Sequence, residues 1–114
     1  MDIKDVIQFA NKKGYKSYNP HSISPNYHYF SGKNGPYFKK TYLIELSLIK
    51  QWLSEKEIIV QTEVFDKSFL ERDKFCFQWR IYPKTTEWFV SIKEYSDELH
   101  ALSDSILEGL KLLP

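Results

Sequence analysis

The fold is decided by a run that alternates between aromatic or aliphatic and more polar residues, Phe75-Cys76-Phe77-Gln78-Trp79-Arg80-Ile81-Tyr82. Successive side chains of a β-strand point to opposite faces, so a period of two predicts a strand with one apolar face. Residues 58–64 and 88–92 alternate in the same way on either side of this run. Short connections between successive strands favour an antiparallel meander. We therefore expect a three-stranded antiparallel sheet.

Helical periodicity precedes the predicted strands. Residues 2–13 have apolar side chains at helical spacing, acids in the first turn and lysines in the last, and Gly14 follows as a stop signal. Residues 41–54 predict a central helix with Thr41 at its N-cap. This helix has two apolar stripes, which indicates packing on more than one side. The stripes are Leu43, Leu46, Ile49 and Leu53, and Ile44, Leu48 and Trp52.

A third helical pattern, with leucines and one isoleucine on one face, covers residues 97–113. Ser96 or Asp97 can cap it. We expect this helix to pack on the sheet face that carries Phe75, Phe77 and Trp79. The opposite face would then present Gln78, Arg80 and Tyr82.

Residues 15–40 interleave tyrosine and phenylalanine with lysine. Three prolines and two glycines argue against a long helix in this segment. Residues 27–30 and 37–40 flank a turn-rich stretch, so they predict either an aromatic hairpin or a long loop over the core. Exposed tyrosines and lysines are typical of protein-binding surfaces and of sites that bind single-stranded nucleic acid. The candidate interaction surface consists of Tyr27, Tyr29, Lys33, Tyr37, Lys39 and Lys40.

Together these patterns predict one α+β domain over residues 1–114, with helices packed on a three-stranded antiparallel sheet. The element order is α-(loop or hairpin)-α-β-β-β-α. Residues 1–40 supply the first helix and the aromatic, basic loop or hairpin. Residues 41–113 form a helix–three-strand–helix core.

Composition and charge narrow the class of protein. Hydrophobic residues make up 42% of the 114 residues and aromatic residues 17%, which argues against a disordered chain. Residues 1–50 have a net charge of +5 and the remainder −4, which suits an anionic partner for the first half or attraction between the halves. A lone cysteine, no signal-peptide pattern and no membrane-length apolar run predict a cytoplasmic protein without a membrane partner.

The chemistry-bearing residues do not assemble into a recognisable catalytic or metal motif. The three histidines and Cys76 fit no common zinc spacing, so no metal or cofactor is expected. Cys76 lies in the middle of a predicted strand without a neighbouring base, which favours a structural role. Residues 31–35 lack the spacing and flanks of a phosphate-binding loop. The chain is therefore predicted to be non-enzymatic.

Residues 48–113 resemble a pattern found in small uncharacterised proteins of Bacteroidetes phages and prophages. The pattern is a helix ending in a Trp-Leu motif, an apolar strand, two aromatic strands and a C-terminal helix closing on Leu-Lys-Leu. In this chain its pieces are Gln51-Trp52-Leu53-Ser54-Glu55, Ile58-Ile59-Val60, Phe75–Ile81, Asp97-Glu98 and Gly109-Leu110-Lys111-Leu112-Leu113. The resemblance implies a mobile-element origin and no particular chemistry.

These observations lead to two hypotheses for function. The first is an accessory protein of a phage or mobile element that binds a host protein, as an inhibitor of a host defence system would. The alternative is a protein that binds single-stranded nucleic acid, for which a steep fall of affinity with salt would be diagnostic.

Overall fold

The computed structural model describes residues 2–18, 36–66, 75–91 and 93–114, and for residues 36–40, 65, 66 and 75 it describes the backbone alone. Within these ranges three helices accompany one antiparallel sheet. The elements in chain order are α1 (Ile3–Lys12), α2 (Pro36–Glu55), β1 (Ile58–Asp66), β2 (Phe75–Pro83), β3 (Phe89–Val90) and α3 (Glu98–Leu110). This order confirms the predicted α+β fold.

The described strands form a sheet in the order β1-β2-β3. β1 and β2 pair over nine residues in a continuous register without a bulge. β3 adds only two residues on the other side of β2. Beyond β3 a single bridge joins Tyr95 to Phe77, so β2 is paired along most of its length. β2, the aromatic strand, is therefore the centre of the described sheet.

The helices cover one face of this sheet. α3 packs against β1 and β2, α2 packs against β1, and α1 contacts the other two helices. Trp79 is only 8% exposed in this layer, which confirms the face predicted to carry the core. The fully buried apolar side chains come from all three helices and from β1 and β2: Val6, Ile7, Ala10, Tyr42, Leu46, Ile49, Leu53, Val60, Ile81, Ala101, Ile106 and Leu110.

Capping explains where two of the helices end or begin. Gly14 follows α1 with a φ of 110°, the left-handed conformation that glycine adopts without strain. Asp97 is the N-cap of α3, and its side chain accepts a hydrogen bond from the N–H of Leu99 at 2.8 Å. Both features were predicted from the sequence.

The predicted boundary of the central helix was wrong. α2 begins at Pro36, so residues 37–40 are helical and do not form the second strand of an aromatic hairpin. Thr41 is buried inside α2 and is not its N-cap. Proline suits the first turn of a helix because its fixed φ is helical and its missing N–H has no partner there. The described helix–sheet core therefore starts five residues earlier than predicted.

Two further details differ from the sequence prediction. The third strand covers Phe89 and Val90 instead of residues 88–92, and Trp88 lies outside it. Leu43, predicted in a buried stripe of the central helix, is 47% exposed. The pattern of apolar residues marks which side chains are available for burial, whereas the small area of the opposing layer decides which of them are covered.

Candidate protein-binding face

None of the six residues of the sequence-predicted interaction surface has a described side chain. Tyr27, Tyr29 and Lys33 are outside the described residues. Tyr37, Lys39 and Lys40 lie in the first turns of α2, where only the backbone is described. These six residues therefore stay a prediction, and the site described below comes from the sheet.

Along residues 59–63, 78–82 and 88–90 the face of the sheet opposite the helices is accessible to solvent, whereas Cys76 on the same face is buried. Because side chains alternate along a strand, the residues that neighbour the buried ones point outward from this face. Ile59 is 53% exposed, Trp88 54% and Val90 39%, so three large apolar side chains remain accessible there. The other members of the open face are Gln61, Glu63, Gln78, Arg80 and Tyr82. Scattered exposed apolar residues are ordinary, but several on one open sheet face mark a candidate interaction site.

An arginine and two aromatic residues form the centre of the open face. The rings of Tyr82 and Trp88 lie 6.2 Å apart between centroids, with an interplanar angle of 33°. The guanidinium carbon of Arg80 lies 5.1 Å from the centre of the Trp88 ring, within the range of a cation–π contact. Across the strands, Arg80 Nε lies 3.0 Å from Glu63 Oε1. These contacts hold a cluster of three large side chains on the outside of the sheet.

The register of the sheet explains why these side chains meet. Arg80 pairs with Val90 and Ile81 with Phe89, so the next position places Trp88 beside Tyr82. On the buried face the same register brings Phe89 edge-on to Trp79, with centroids 6.0 Å apart. The short third strand is thus anchored from both faces, and Trp88 is positioned although it lies outside the ladder.

The charge on the open face is small. Arg80 is the only cation among its described residues, and Glu63 forms an ion pair with it. The two side chains are about one-third exposed, so solvent screens the pair and it contributes little to stability. The face is therefore close to neutral and combines apolar, aromatic and amide groups. This composition is typical of protein-binding hot spots, in which Trp, Tyr and Arg are enriched.

A second surface feature is a polar cleft of about 400 Å³ beside the start of α3. In it the Tyr95 hydroxyl donates to Asp104 at 2.6 Å, and His100 Nδ1 lies 2.7 Å from Asp97 Oδ2. Burial, followed by the hydrogen bond to Asp104, raises the pKa of Tyr95. Trp79 Nε1 donates to the same hydroxyl at 3.3 Å, so this tyrosine links the core to α3.

Two of the polar side chains that line the cleft also stabilise the fold. Asp97 is already engaged as the α3 cap, and Tyr95 is held in its neutral form by its surroundings. Among the described residues no group of three histidine, cysteine, aspartate or glutamate side chains could hold a metal ion. Cys76 is buried in β2, and its structural role stays a prediction.

A buried carboxylate fixes the chain as it leaves α1. Glu45 of α2 is fully buried, and its Oε1 accepts a hydrogen bond from the backbone N–H of Tyr18 at 2.6 Å. Burial, together with the negative charge of Glu45, raises the pKa of Tyr15 to about 12. The Tyr15 ring also meets Trp52 edge-on at 5.9 Å. Residues 15–18 are thus tied to α2 just before the aromatic, basic segment.

The sequence identified part of the open face and missed its most exposed member. Gln78, Arg80 and Tyr82 were predicted to share the face opposite the core. Trp88 was assigned only to the alternation of a third strand, without a face of its own. The signal that could have found it is the pairing register, which requires knowing how β2 and β3 align.

Within the described ranges, no helix is both long and apolar enough to cross a membrane. Comparison of the chain with protein-family models, with curated proteins and with solved structures found no match.

Proposed function

We propose that this chain is a non-enzymatic protein that acts by binding a protein partner through the open face of its sheet. The observation that carries the proposal is the exposed cluster of Trp88, Arg80 and Tyr82 on a face that none of the described helices covers. Such a cluster offers a large contact area whose side chains are already ordered, so little conformational entropy is lost on binding.

The charge of the face favours a protein over a nucleic acid as the partner. Binding of single strands depends on several Lys or Arg side chains along the phosphate path, combined with aromatic stacking. The described open face has aromatic side chains but a single cation, Arg80, which is paired with Glu63. We therefore keep single-stranded nucleic-acid binding as the second candidate, supported by the sequence-predicted lysines of the aromatic, basic segment.

Arg80 indicates which protein surface would be complementary. Its Nε lies 3.0 Å from Glu63 Oε1 as an ion pair without a hydrogen bond of good geometry, and its guanidinium is about one-third exposed beside the Trp88 ring. A planar guanidinium stacked on Trp88 suits bidentate pairing with a carboxylate. The partner surface would accordingly present an aspartate or glutamate surrounded by apolar side chains that cover Ile59, Trp88 and Val90.

The biological setting of the proposal comes from the sequence resemblance. In this setting the chain is a cytoplasmic accessory protein of a phage or mobile element, and it binds a host protein such as a component of a defence system. A small protein without catalytic machinery can inhibit an enzyme by covering its working surface, which is an argument from analogy with other small phage proteins.

The proposal is tested by affinity capture from a nuclease-treated lysate of a Bacteroidetes host, with the parent protein and variants as bait. Trp88→Ala and Arg80→Lys should lose the captured protein, because the first removes the exposed ring and the second removes the planar fork. Leu112→Ala, at a residue 43% exposed outside this face, is the matched control and should retain capture. Equal capture by the parent and the Trp88→Ala variant would exclude the open face as the binding site.

A direct titration separates the two candidate partners. A fluorescent oligo-dT strand should bind the parent weakly or not at all. Tight binding that falls with log salt, with a slope of about −0.7 per phosphate neutralised, would establish the nucleic-acid alternative.

The sequence-predicted surface is tested in parallel with a combined variant: charge reversal of Lys33, Lys39 and Lys40 together with Tyr29→Ala and Tyr37→Ala. If this variant loses capture and Trp88→Ala does not, the partner binds the aromatic, basic segment instead.

A further inference from the structure

Within the described part of the chain, no strand pairs with the outer edge of β1. The N–H and C=O of Phe77 bond with Tyr95, and the C=O of Trp79 accepts from Ser91, so odd-numbered residues of β2 face β3. Even-numbered residues of β2 therefore face β1, and the register makes their partners the odd-numbered residues of β1. It follows that the backbone groups of residues 58, 60, 62, 64 and 66 point away from the sheet. None of the described residues bonds to them.

Apart from the acids Glu63 and Asp66, the described edge lacks the features that usually protect exposed strands. Natural sheets block their edges with lysine, proline, bulges or very short strands. β1 is nine residues long, has no bulge, and contains no lysine, arginine, proline or glycine. At the start of the strand, a cleft of about 180 Å³ separates Ile59 and Val60 from α2, which borders it through Ser47, Lys50, Gln51 and Ser54.

We propose that two copies of the chain dimerise by pairing their β1 strands antiparallel across a two-fold axis at Thr62. Ile58–Asp66 has its midpoint at Thr62, so only this register overlaps all nine residues of both strands. Each outward-facing N–H and C=O then finds a partner in the other copy. The result is one continuous six-stranded sheet with the helices on one face.

The side chains are complementary in this register. Val60 of one copy lies opposite Val64 of the other, and β-branched cross-strand pairs are favourable. Val64 is 59% exposed in the single chain, so the second copy would cover it. Gln61 lies opposite Glu63 of the second copy. A shift of the axis to Glu63 would instead set two carboxylates directly against each other, which is unfavourable.

The other described edge of the sheet explains why the assembly closes at two copies. β3 pairs through only two residues and offers no comparable length of free strand. Each copy therefore has one long edge, and a two-fold contact uses it in both partners. This gives a closed dimer instead of an open fibre.

The first test is sedimentation equilibrium of the full chain over a range of concentrations, with Thr62→Pro and Gln61→Pro as variants. The parent should show a monomer–dimer equilibrium. Thr62→Pro removes an N–H that faces the open edge and should give a folded monomer. Gln61→Pro removes an N–H that bonds β2 and should instead unfold the chain. A parent protein that stays monomeric at the highest soluble concentration overturns the proposal. That result is expected if the edge of β1 instead binds an extended segment of another protein. A folded Thr62→Pro variant that still dimerises also overturns the proposal.

A charge pair at Gln61 tests the register even if the proline variant fails to fold. Gln61→Lys places a cation opposite Glu63 of the second copy twice per dimer, whereas Gln61→Glu places like charges there. At low salt the first should lower the dimer dissociation constant by about 2- to 30-fold and the second should raise it by a similar factor. Within one chain Gln61 is opposite Arg80, so the effects on monomer stability have the reverse sign. Dissociation constants that follow monomer stability, or that are equal for both variants, overturn the register.

Discussion

Gly109 of α3 is the position where the packing of helix and sheet can be tested most directly. A Cβ at this position would lie 3.1 Å from Val60 Cγ1, 3.2 Å from Leu53 Cδ1 and 3.5 Å from Ile58 Cγ2. The first two distances are tighter than ordinary van der Waals contact. The glycine therefore lets α3 approach α2 and β1 closely. In Gly109→Ala, crowding at this contact lowers stability, whereas the higher helix propensity of alanine raises it.

The two effects have comparable magnitudes and opposite signs. Alanine in a helix interior is favoured over glycine by about 0.8–1.0 kcal/mol. An extra methyl group in a packed core costs about 1–3 kcal/mol. We expect Gly109→Ala to lower the free energy of unfolding by about 0–2 kcal/mol, which corresponds to about 4 °C of Tm per kcal/mol for a domain of this size.

A double variant isolates the packing contribution. Val60→Ala removes the nearest methyl group, so adding Gly109→Ala in that background should cost less than in the parent. The coupling between contacting residues should be about 0.5–3 kcal/mol by chemical denaturation. If Gly109→Ala stabilises the parent by about 1 kcal/mol, helix propensity alone decides, as it would at an uncrowded position. That result, or additive effects in the double variant, would refute the close approach of α3 to β1.

Three further predictions concern stability. Trp79→Ala should lower the free energy of unfolding by about 3–5 kcal/mol, because it empties the centre of β2 and removes the donor to Tyr95; a melting temperature equal to the parent's would show that this face is not the core. Asp97→Ala should cost about 1 kcal/mol through loss of the α3 cap, and Asp97→Asn should restore most of it in the same denaturation assay. The pKa of Tyr15, about 12, lies above its ordinary value of 10.0, so the unfolded chain loses this proton first. Stability is therefore complete below pH 10 and falls as the pH rises toward 12; Tyr15→Phe should reduce this fall, and equal slopes of stability against pH would contradict the assignment.

The sequence by itself determined the order of the elements and the buried face of the sheet. Alternation in residues 75–82 specifies a strand whichever neighbours it has, because side chains of a strand must point to opposite faces. The positions of Trp79 in the core, Gly14 after α1 and Asp97 before α3 follow equally from local rules of packing and capping. Each of these properties depends on residues close together in the chain.

The tertiary structure alone placed Trp88 in the candidate site. Trp88 meets Arg80 and Tyr82 because of the register between β2 and β3, which is a relation between separate segments. The start of α2 at Pro36 could not be predicted from the sequence either, because proline and glycine residues are typical both of loops and of the beginnings of helices. The position of β1 at an edge of the described sheet follows from the strand order. Periodicity specifies which face of a strand is apolar, but which edge remains unpaired depends on the neighbours that the folded chain supplies.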